Sequence, residues 1–251
     1  MDINQVTKKY GNKTVVSDVD YQVKKGKLTA FIGPNGAGKS TLLSMMSRLI
    51  EKDQGGIYLG GTEVKTWNQQ ELAKKLSILK QANGIQLKLT VRELVDFGRF
   101  PHSKGRLTEL DQEKITKALT FLGLLDLAES TIDTLSGGQL QRAYIAMVLA
   151  QDTDYIFLDE PLNNLDMNHA VQLMKTIRQL VDEKGKTVII VLHDINFAAS
   201  YADEIVAMKD GKIFKTGTTD EIIEKEVLDE LYDMSIRVCE LEGKRFCLYF
   251  N

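Results

Sequence analysis

No apolar run in these 251 residues approaches the roughly eighteen needed to cross a bilayer. Met1-Asp2-Ile3-Asn4 also lacks the basic segment followed by an apolar one that would mark an export signal, so the chain is expected to stay in the cytosol. Charge of one sign is missing too. With 32 basic and 35 acidic residues the net charge is −3, there is no basic stripe of the kind a nucleic-acid groove needs, and no nucleic-acid partner is expected. Cysteine is nearly absent. Cys239 and Cys247 make no metal site by count or spacing, and across a turn at Glu242-Gly243 Cys239 would face Phe246 instead of Cys247. Both are expected to be reduced and structural. A composition of 43% apolar and 27% charged residues belongs to neither a disordered nor a fibrous chain, and the length suits one compact body with subdomains.

What is present begins at Gly33-Pro34-Asn35-Gly36-Ala37-Gly38-Lys39-Ser40-Thr41, which fits Gly-x-x-x-x-Gly-Lys-Ser/Thr without a mismatch. Its glycines let backbone N–H groups turn inward around an anion. Lys39 can reach the β- and γ-phosphates, and the Ser40 hydroxyl can join the shell of a Mg²⁺ ion. Such a loop works only between a buried strand and a helix. Leu28 to Ile32 reads as that strand and Ser40 to Ile50 as that helix, whose N-terminus adds partial positive charge. The stretch predicts a nucleoside triphosphate site.

Around it the pattern alternates. Met1 to Val6 and Thr14 to Val23 read as strands joined at Gly11-Asn12, with Tyr10 at the hairpin tip, free to stack on an adenine ring or to serve as a half-buried strand aromatic. Gly55 to Gly61 holds a strand returning to this layer, Asn68 caps a helix from Gln69 to about Lys75, and Ser77 to Gln81 is a strand that opens a loop through Leu89. Thr90-Val91-Arg92-Glu93 and Thr108-Glu109-Leu110-Asp111 start helices to about Gly98 and Leu122. No strand is expected between Thr90 and Ala150, which makes residues 90–150 a helical insertion in the α/β chain. Inside it, Ser136-Gly137-Gly138-Gln139 precedes the helix Leu140 to Ala150. These residues offer free N–H groups, a hydroxyl and a dipole end to an anion, although a plain N-cap has the same form.

Tyr155-Ile156-Phe157-Leu158 is a core-strand run that stops at Asp159-Glu160. Two carboxylates at such an end cost desolvation unless a cation is present, and next to a phosphate loop that cation is Mg²⁺. Asp159 would hold the metal through water and Glu160 would orient and polarise the attacking water. Thr187 to Leu192 repeats the pattern and ends at His193, placed at the crevice to donate to a terminal phosphate. His102 and His169 lack that setting. Glu204 to Phe214 predicts a hairpin around Asp210-Gly211, Thr218 to Leu231 predicts helices, and Ile236 to Phe250 a last hairpin.

In this order the residues resemble the ATP-binding subunit of an ATP-binding-cassette transporter, over nearly the whole chain. Gly33 to Ser40 is similar to the Walker A loop, Gln81 to the Q-loop glutamine, Leu135 to Gln139 to the signature motif, and Tyr155 to Asp159 to Walker B. Glu160 matches the catalytic glutamate, Asn164-Leu165-Asp166 the D-loop, His193 the switch histidine and Tyr10 the adenine-stacking aromatic. Leu162 and Lys80 depart from the usual residues beside Walker B and the Q-loop, outside the phosphate chemistry. Thr90 to Val95 with Gly98 to His102 resembles importers of iron chelates, haem and cobalamin.

The resemblance implies a P-loop α/β core (residues 1–89 and 151–251) with an N-terminal antiparallel β-subdomain, and a helical subdomain at 90–150. It implies ATP and Mg²⁺ as ligands, with Gln81 joining Ser40 and Asp159 at the metal and Glu160 and His193 in catalysis. Gly33 to Thr41 of one copy would meet Ser136 to Gln139 and Asp166 of another in a homodimer. The dimer would lie on the cytoplasmic face of the membrane under two permease subunits, fed by an extracytoplasmic binding protein. A ferric siderophore is the expected cargo, with haem and cobalamin as rivals. A soluble cassette ATPase acting on ribosomes or DNA would need a second cassette or a coiled insertion, and a scaffold without turnover would lack Glu160.

Overall fold

The computed structural model describes residues 1–80, 88–163 and 165–249, so the roles expected of Gln81 and Asn164 lie outside the described residues. Antiparallel pairing begins at the N-terminus. Strands β1 (Asp2–Tyr10) and β2 (Lys13–Gln22) meet at the Gly11-Asn12 turn, with Tyr10 opposite Lys13. β1 extends beyond the expected Val6 because Lys8 and Lys9 find cross-strand partners in Val16 and Thr14. β3 (Leu28–Ile32) is wholly buried and leads through the glycine loop into α1 (Lys39–Met46).

That helix ends well before the expected Ile50. Arg48 takes a left-handed φ of 61°, and the N–H groups of Leu49 and Ile50 turn back to the Ser44 carbonyl. The Arg48 guanidinium meanwhile donates to the Trp67 carbonyl at 2.5 Å. A left-handed residue with a tertiary acceptor stops a helix that side-chain pattern alone would continue. β4 (Gln54–Leu59) and the short β5 (Thr62–Glu63) complete a four-stranded layer in the order β2-β1-β4-β5. Asn68 caps α2 (Gln69–Ala73) by accepting from Gln70 and Glu71, and β6 (Leu76–Leu79) follows.

The next segment is helical: α3 (Val91–Asp96), α4 (Phe100–Ser103), α5 (Glu109–Phe121) and α6 (Gly137–Ala150). Thr90, Thr108 and Ser136 each close a capping box with Glu93, Asp111 and Gln139. Among the described residues of this stretch the one β contact is an isolated bridge between Thr90 and Thr131. The chain then alternates through β7 (Tyr155–Asp159), α7 (Met167–Asp182), β8 (Thr187–Val191), α8 (Ile195–Tyr201), β9 (Glu204–Lys209) and β10 (Lys212–Gly217). Short helices α9 (Thr219–Ile222) and α10 (Lys225–Tyr232) precede a hairpin of β11 (Arg237–Leu241) and β12 (Lys244–Leu248). Cys239 lies opposite Phe246 in that hairpin. Cys239 is exposed and Cys247 buried, and both are free thiols.

Six strands form the central sheet in the order β10-β9-β3-β8-β7-β6, parallel except for β10 against β9. Both faces are covered, and the period of two in a strand divides each run between two cores. Leu28, Ala30, Ile156, Leu158, Val188 and Ile190 pack toward the helical side. Phe31, Phe157, Ile189 and Val191 pack toward α1 and the antiparallel layer. The order matters for the site. β8 lies between β3 and β7, so the loops leaving the carboxyl ends of these three neighbours converge.

The helical segment is pinned by a buried charge pair. The Arg99 Nε donates to Asp111 Oδ1 at 2.8 Å, and the Arg99 Nη1 to the Ala150 carbonyl at 2.7 Å. Asp111 also accepts from the backbone and hydroxyl of Thr108. Burial pushes the Asp111 carboxyl up, but the Thr108 and Arg99 donors together hold it well down, at about 2. Asp111→Asn leaves Arg99 buried without its counter-ion and is expected to cost about 3 kcal/mol at neutral pH. Because the folded carboxyl titrates below the ordinary 3.8, its contribution is complete above that value and is lost as pH falls toward 2. Urea midpoints measured from pH 6 down to 2 should therefore show the gap between wild type and Asp111→Asn narrowing as pH falls.

Candidate nucleotide site

At the end of β3 the chain has to turn where there is no room for a side chain. Gly33 has φ 137°, and a Cβ there would lie 2.0 Å from the Met208 carbonyl oxygen on β9. Gly38 has φ 96°, with the Val15 carbonyl 2.7 Å from where its Cβ would be. These are two positions that only glycine fills. The loop is closed by Ala37 N–H donating to the Pro34 carbonyl at 3.2 Å and Gly211 N–H to the Ala37 carbonyl at 3.2 Å. The Gly33 N–H donates to the Tyr232 hydroxyl at 3.1 Å.

Lys39 is folded over its own loop. Its Nζ donates to the carbonyls of Gly33 at 2.7 Å and Pro34 at 3.0 Å. Burial lowers its pKa, against the pull of Glu160 and Asp159. At the start of α1 the Ser40 hydroxyl donates to Asp159 Oδ1 at 2.6 Å. Burial raises the Asp159 carboxyl, Ser40 opposes that, and the neighbouring Glu160 adds to it. Glu160 itself sits at a left-handed φ of 52°, which swings its side chain out of the strand direction. One oxygen of Glu160 meets His193 Nε2 at 2.6 Å and the other accepts from Asn163 Nδ2 at 2.7 Å. Together Val15, Asn35 to Thr41, Glu160 and His193 line a cavity of about 140 Å³.

The structure thus brings Gly33 to Thr41, Asp159, Glu160 and His193 into one place. Ser136 to Gln139 and Asp166 form a second cluster. Ser136 accepts from Gln139 N–H at 3.3 Å and Gln139 Oε1 accepts from Ser136 N–H at 2.9 Å, the reciprocal cap of α6. A Cβ on Gly138 would lie 2.8 Å from the His169 ring. That ring bonds through Nδ1 to Asp166 Oδ2 at 2.8 Å, while Asp166 Oδ1 accepts from His169 N–H at 2.9 Å. His169 therefore joins the Ser-Gly-Gly turn to the start of α7, and His102 bonds the Gln151 carbonyl at 2.9 Å. Sequence reasoning missed Asn163, which the spacing from Glu160 could have suggested. It also missed Tyr232, for which no local pattern exists.

A glycine loop leading into a helix, with a hydroxyl bonded to an acid at the next strand end but one, defines a P-loop nucleotide-binding protein. Residues 16–163 match the family described as ABC transporter, and the chain belongs to that family. It is 57% identical over 251 residues to the petrobactin import ATP-binding protein YclP of Bacillus subtilis (strain 168), covering 100% of both chains. It is 48% identical to the petrobactin import ATP-binding protein FatE of Bacillus anthracis, covering 94% of each. Among solved structures, the dimeric form of the bacterial ABC transporter cassette MJ0796 superposes with a TM-score of 0.77 at 30% identity, covering 87% of this chain and 98% of that one. The same cassette bound to ADP and Pi gives a TM-score of 0.76 at 30% identity, with the same coverage. The chain binds nucleotide and is an ATPase with the expected P-loop α/β cassette fold.

Tyr10, the last residue of β1, is 53% exposed at the tip of the β1–β2 hairpin. The Lys8 ammonium lies 5.4 Å from its ring centroid. An exposed ring is available to stack on a base remote from the phosphates. Tyr10→Ala is expected to raise KM for ATP roughly fivefold while kcat changes little, as steady-state ATPase assays over a range of ATP would read.

Proposed function

We propose that this chain is the ATP-hydrolysing subunit of an importer that takes up a ferric siderophore, with petrobactin the leading candidate. The observation that carries the reading is identity of 57% along the whole of both chains to a petrobactin import ATP-binding protein. The second relative, at 48%, bears the same cargo in its name. No helix among the described residues is long and apolar enough to cross a membrane. The spanning path then belongs to two permease subunits, loaded by an extracytoplasmic binding protein, with two copies of this chain on the cytoplasmic face.

In this reading residues 1–89 and 151–251 form the nucleotide core and 90–150 the helical subdomain that meets the permease. The helical side offers an apolar cavity of about 370 Å³ between Leu89, Phe97, Phe100 and Leu107. Phe97 and Phe100 are 55% and 60% exposed there, a cost that a docked partner would relieve. Gly33 to Thr41 cradle the phosphates, and Tyr10 stacks on the adenine. Lys39 exchanges two loop carbonyls for phosphate oxygens. The second half of each site, Ser136 to Gln139 with Asp166, comes from the other copy, a reading that the dimeric form of a similar cassette supports. Nucleotide binding thereby closes the dimer.

Among the described residues no group of three or more His, Cys, Asp or Glu side chains could hold a metal ion by itself. Ser40, whose hydroxyl lies beside the desolvated carboxyl of Asp159, would hold a Mg²⁺ together with that carboxylate, and Gln81, outside the described residues, would join them. Bound there, it neutralises charge on the phosphates. Glu160 accepts the proton of the attacking water. His193, already paired with Glu160, holds that carboxylate in place and donates to the terminal phosphate.

Glu160→Gln keeps the hydrogen bonds of the side chain but not its basicity. Turnover should fall at least about a hundredfold with ATP affinity retained, and an ATP-bound dimer should accumulate on size-exclusion chromatography. Near-normal hydrolysis would remove Glu160 from the base role. The cargo is tested by reconstituting chain, permease and binding protein in liposomes. Binding protein loaded with ferric petrobactin should stimulate ATP hydrolysis several-fold, whereas stimulation only by a haem- or cobalamin-loaded protein would overturn the siderophore reading and leave the ATPase standing.

A further inference from the structure

We infer that Tyr232, near the far end of the chain, is a positioning residue for the phosphate loop: its phenol holds Gly33 in the form that nucleotide binds. The inference rests on the reading of Gly33 to Thr41 as the nucleotide loop. Gly33 has no side chain with which to anchor itself, and its φ of 137° is one of many backbone conformations open to glycine, so its geometry depends on the contacts around it. Two polar contacts hold it from opposite directions. Its carbonyl accepts from Lys39 Nζ at 2.7 Å, and its N–H donates to Tyr232 Oη at 3.1 Å across 199 residues of sequence. Lys39 is the group that turns to the phosphates when nucleotide arrives. The Tyr232 bond is the one that can persist through that exchange.

The phenol is carried by a packed unit and not by a loose tail. α10 buries Leu228 and Leu231, and the Asp229 carboxylate accepts from Ile236 N–H at 2.6 Å, fixing the turn after the helix. The following hairpin is docked on α8 by a reciprocal pair: Asn196 Nδ2 donates to the Cys247 carbonyl at 3.2 Å, and Cys247 N–H donates to Asn196 Oδ1 at 2.8 Å. Burial raises the pKa of the Tyr232 hydroxyl far above its ordinary value, so it remains neutral and able to accept at any physiological pH. The residue lies outside the glycine motif and outside the family match at 16–163.

A contact that biases the empty loop toward its binding form strengthens every nucleotide alike. Once nucleotide is bound, the phosphates hold the loop themselves, so the bond acts on affinity and not on the chemical step. Tyr232→Phe in the full-length chain keeps the ring and its packing while removing the acceptor. The dissociation constants for ADP and ATP, and KM for ATP, are expected to rise together by roughly fivefold, the scale of one neutral hydrogen bond. The kcat should stay within about twofold of wild type.

Hydrogen exchange gives a readout that does not need turnover. Peptides spanning residues 28–36 should exchange faster in the nucleotide-free variant than in wild type, and equally once ADP saturates both. Unchanged nucleotide affinity with unchanged exchange would overturn the inference. So would a fall in kcat at constant KM, or weakened binding accompanied by a general loss of thermal stability, which would make Tyr232 a packing residue. Failure of the nucleotide-loop reading looks different, since wild type itself would then bind no ADP.

Discussion

Asp159 ends a strand whose residues are all buried, and its carboxyl is therefore expensive to keep charged. The Ser40 hydroxyl donates to it at 2.6 Å. That bond spans from β7 to the start of α1, over the end of β8, and most of the site follows from it. Lys39 is likewise buried and leans on carbonyls of its own loop, and Glu160 is tied to His193 and Asn163. Each charged group of the site is thus held by a hydrogen-bonding neighbour.

The sheet order converts this into geometry. β3, β8 and β7 are adjacent and parallel, so one edge of the sheet carries the phosphate loop, His193 and the acid pair side by side. Apolar side chains on both faces of these strands hold that edge rigid. Gly33 and Gly38 show how closely the rest of the molecule approaches, with the backbones of β9 and β2 occupying the space a Cβ would need. The loop is shaped from outside as much as by its own sequence.

The second cluster has a different logic. Ser136, Gly138, His169 and Asp166 are linked within one chain by a cap, a ring contact and two bonds to the aspartate, and none of them lines the cavity at Gly33 to Thr41. On the function proposed above this cluster is the second half of a phosphate site, and a chain carrying the two halves in separate places is incomplete alone. This is the physical argument for a two-fold assembly, in which closing the halves on ATP couples binding to movement of the helical segment.

Much of this was legible in the residues themselves. Gly33 to Thr41, the run ending at Asp159-Glu160, the run ending at His193 and the capping boxes at Thr90, Thr108 and Ser136 are local patterns whose chemistry depends on neighbours a few positions away. Periodicity likewise separated the helical stretch from the strands around it. What sequence by itself determined was thus the set of elements and the groups at their ends. The end of α1 was different, because a left-handed Arg48 reaching the Trp67 carbonyl is a tertiary contact that no helical pattern contains. The partners of Glu160, the His169 joint against Gly138 and the Tyr232 hydroxyl beneath Gly33 were decided only by the folded structure. They join segments up to 199 residues apart, and a hydrogen bond across that distance in sequence leaves no local signal for either residue to carry.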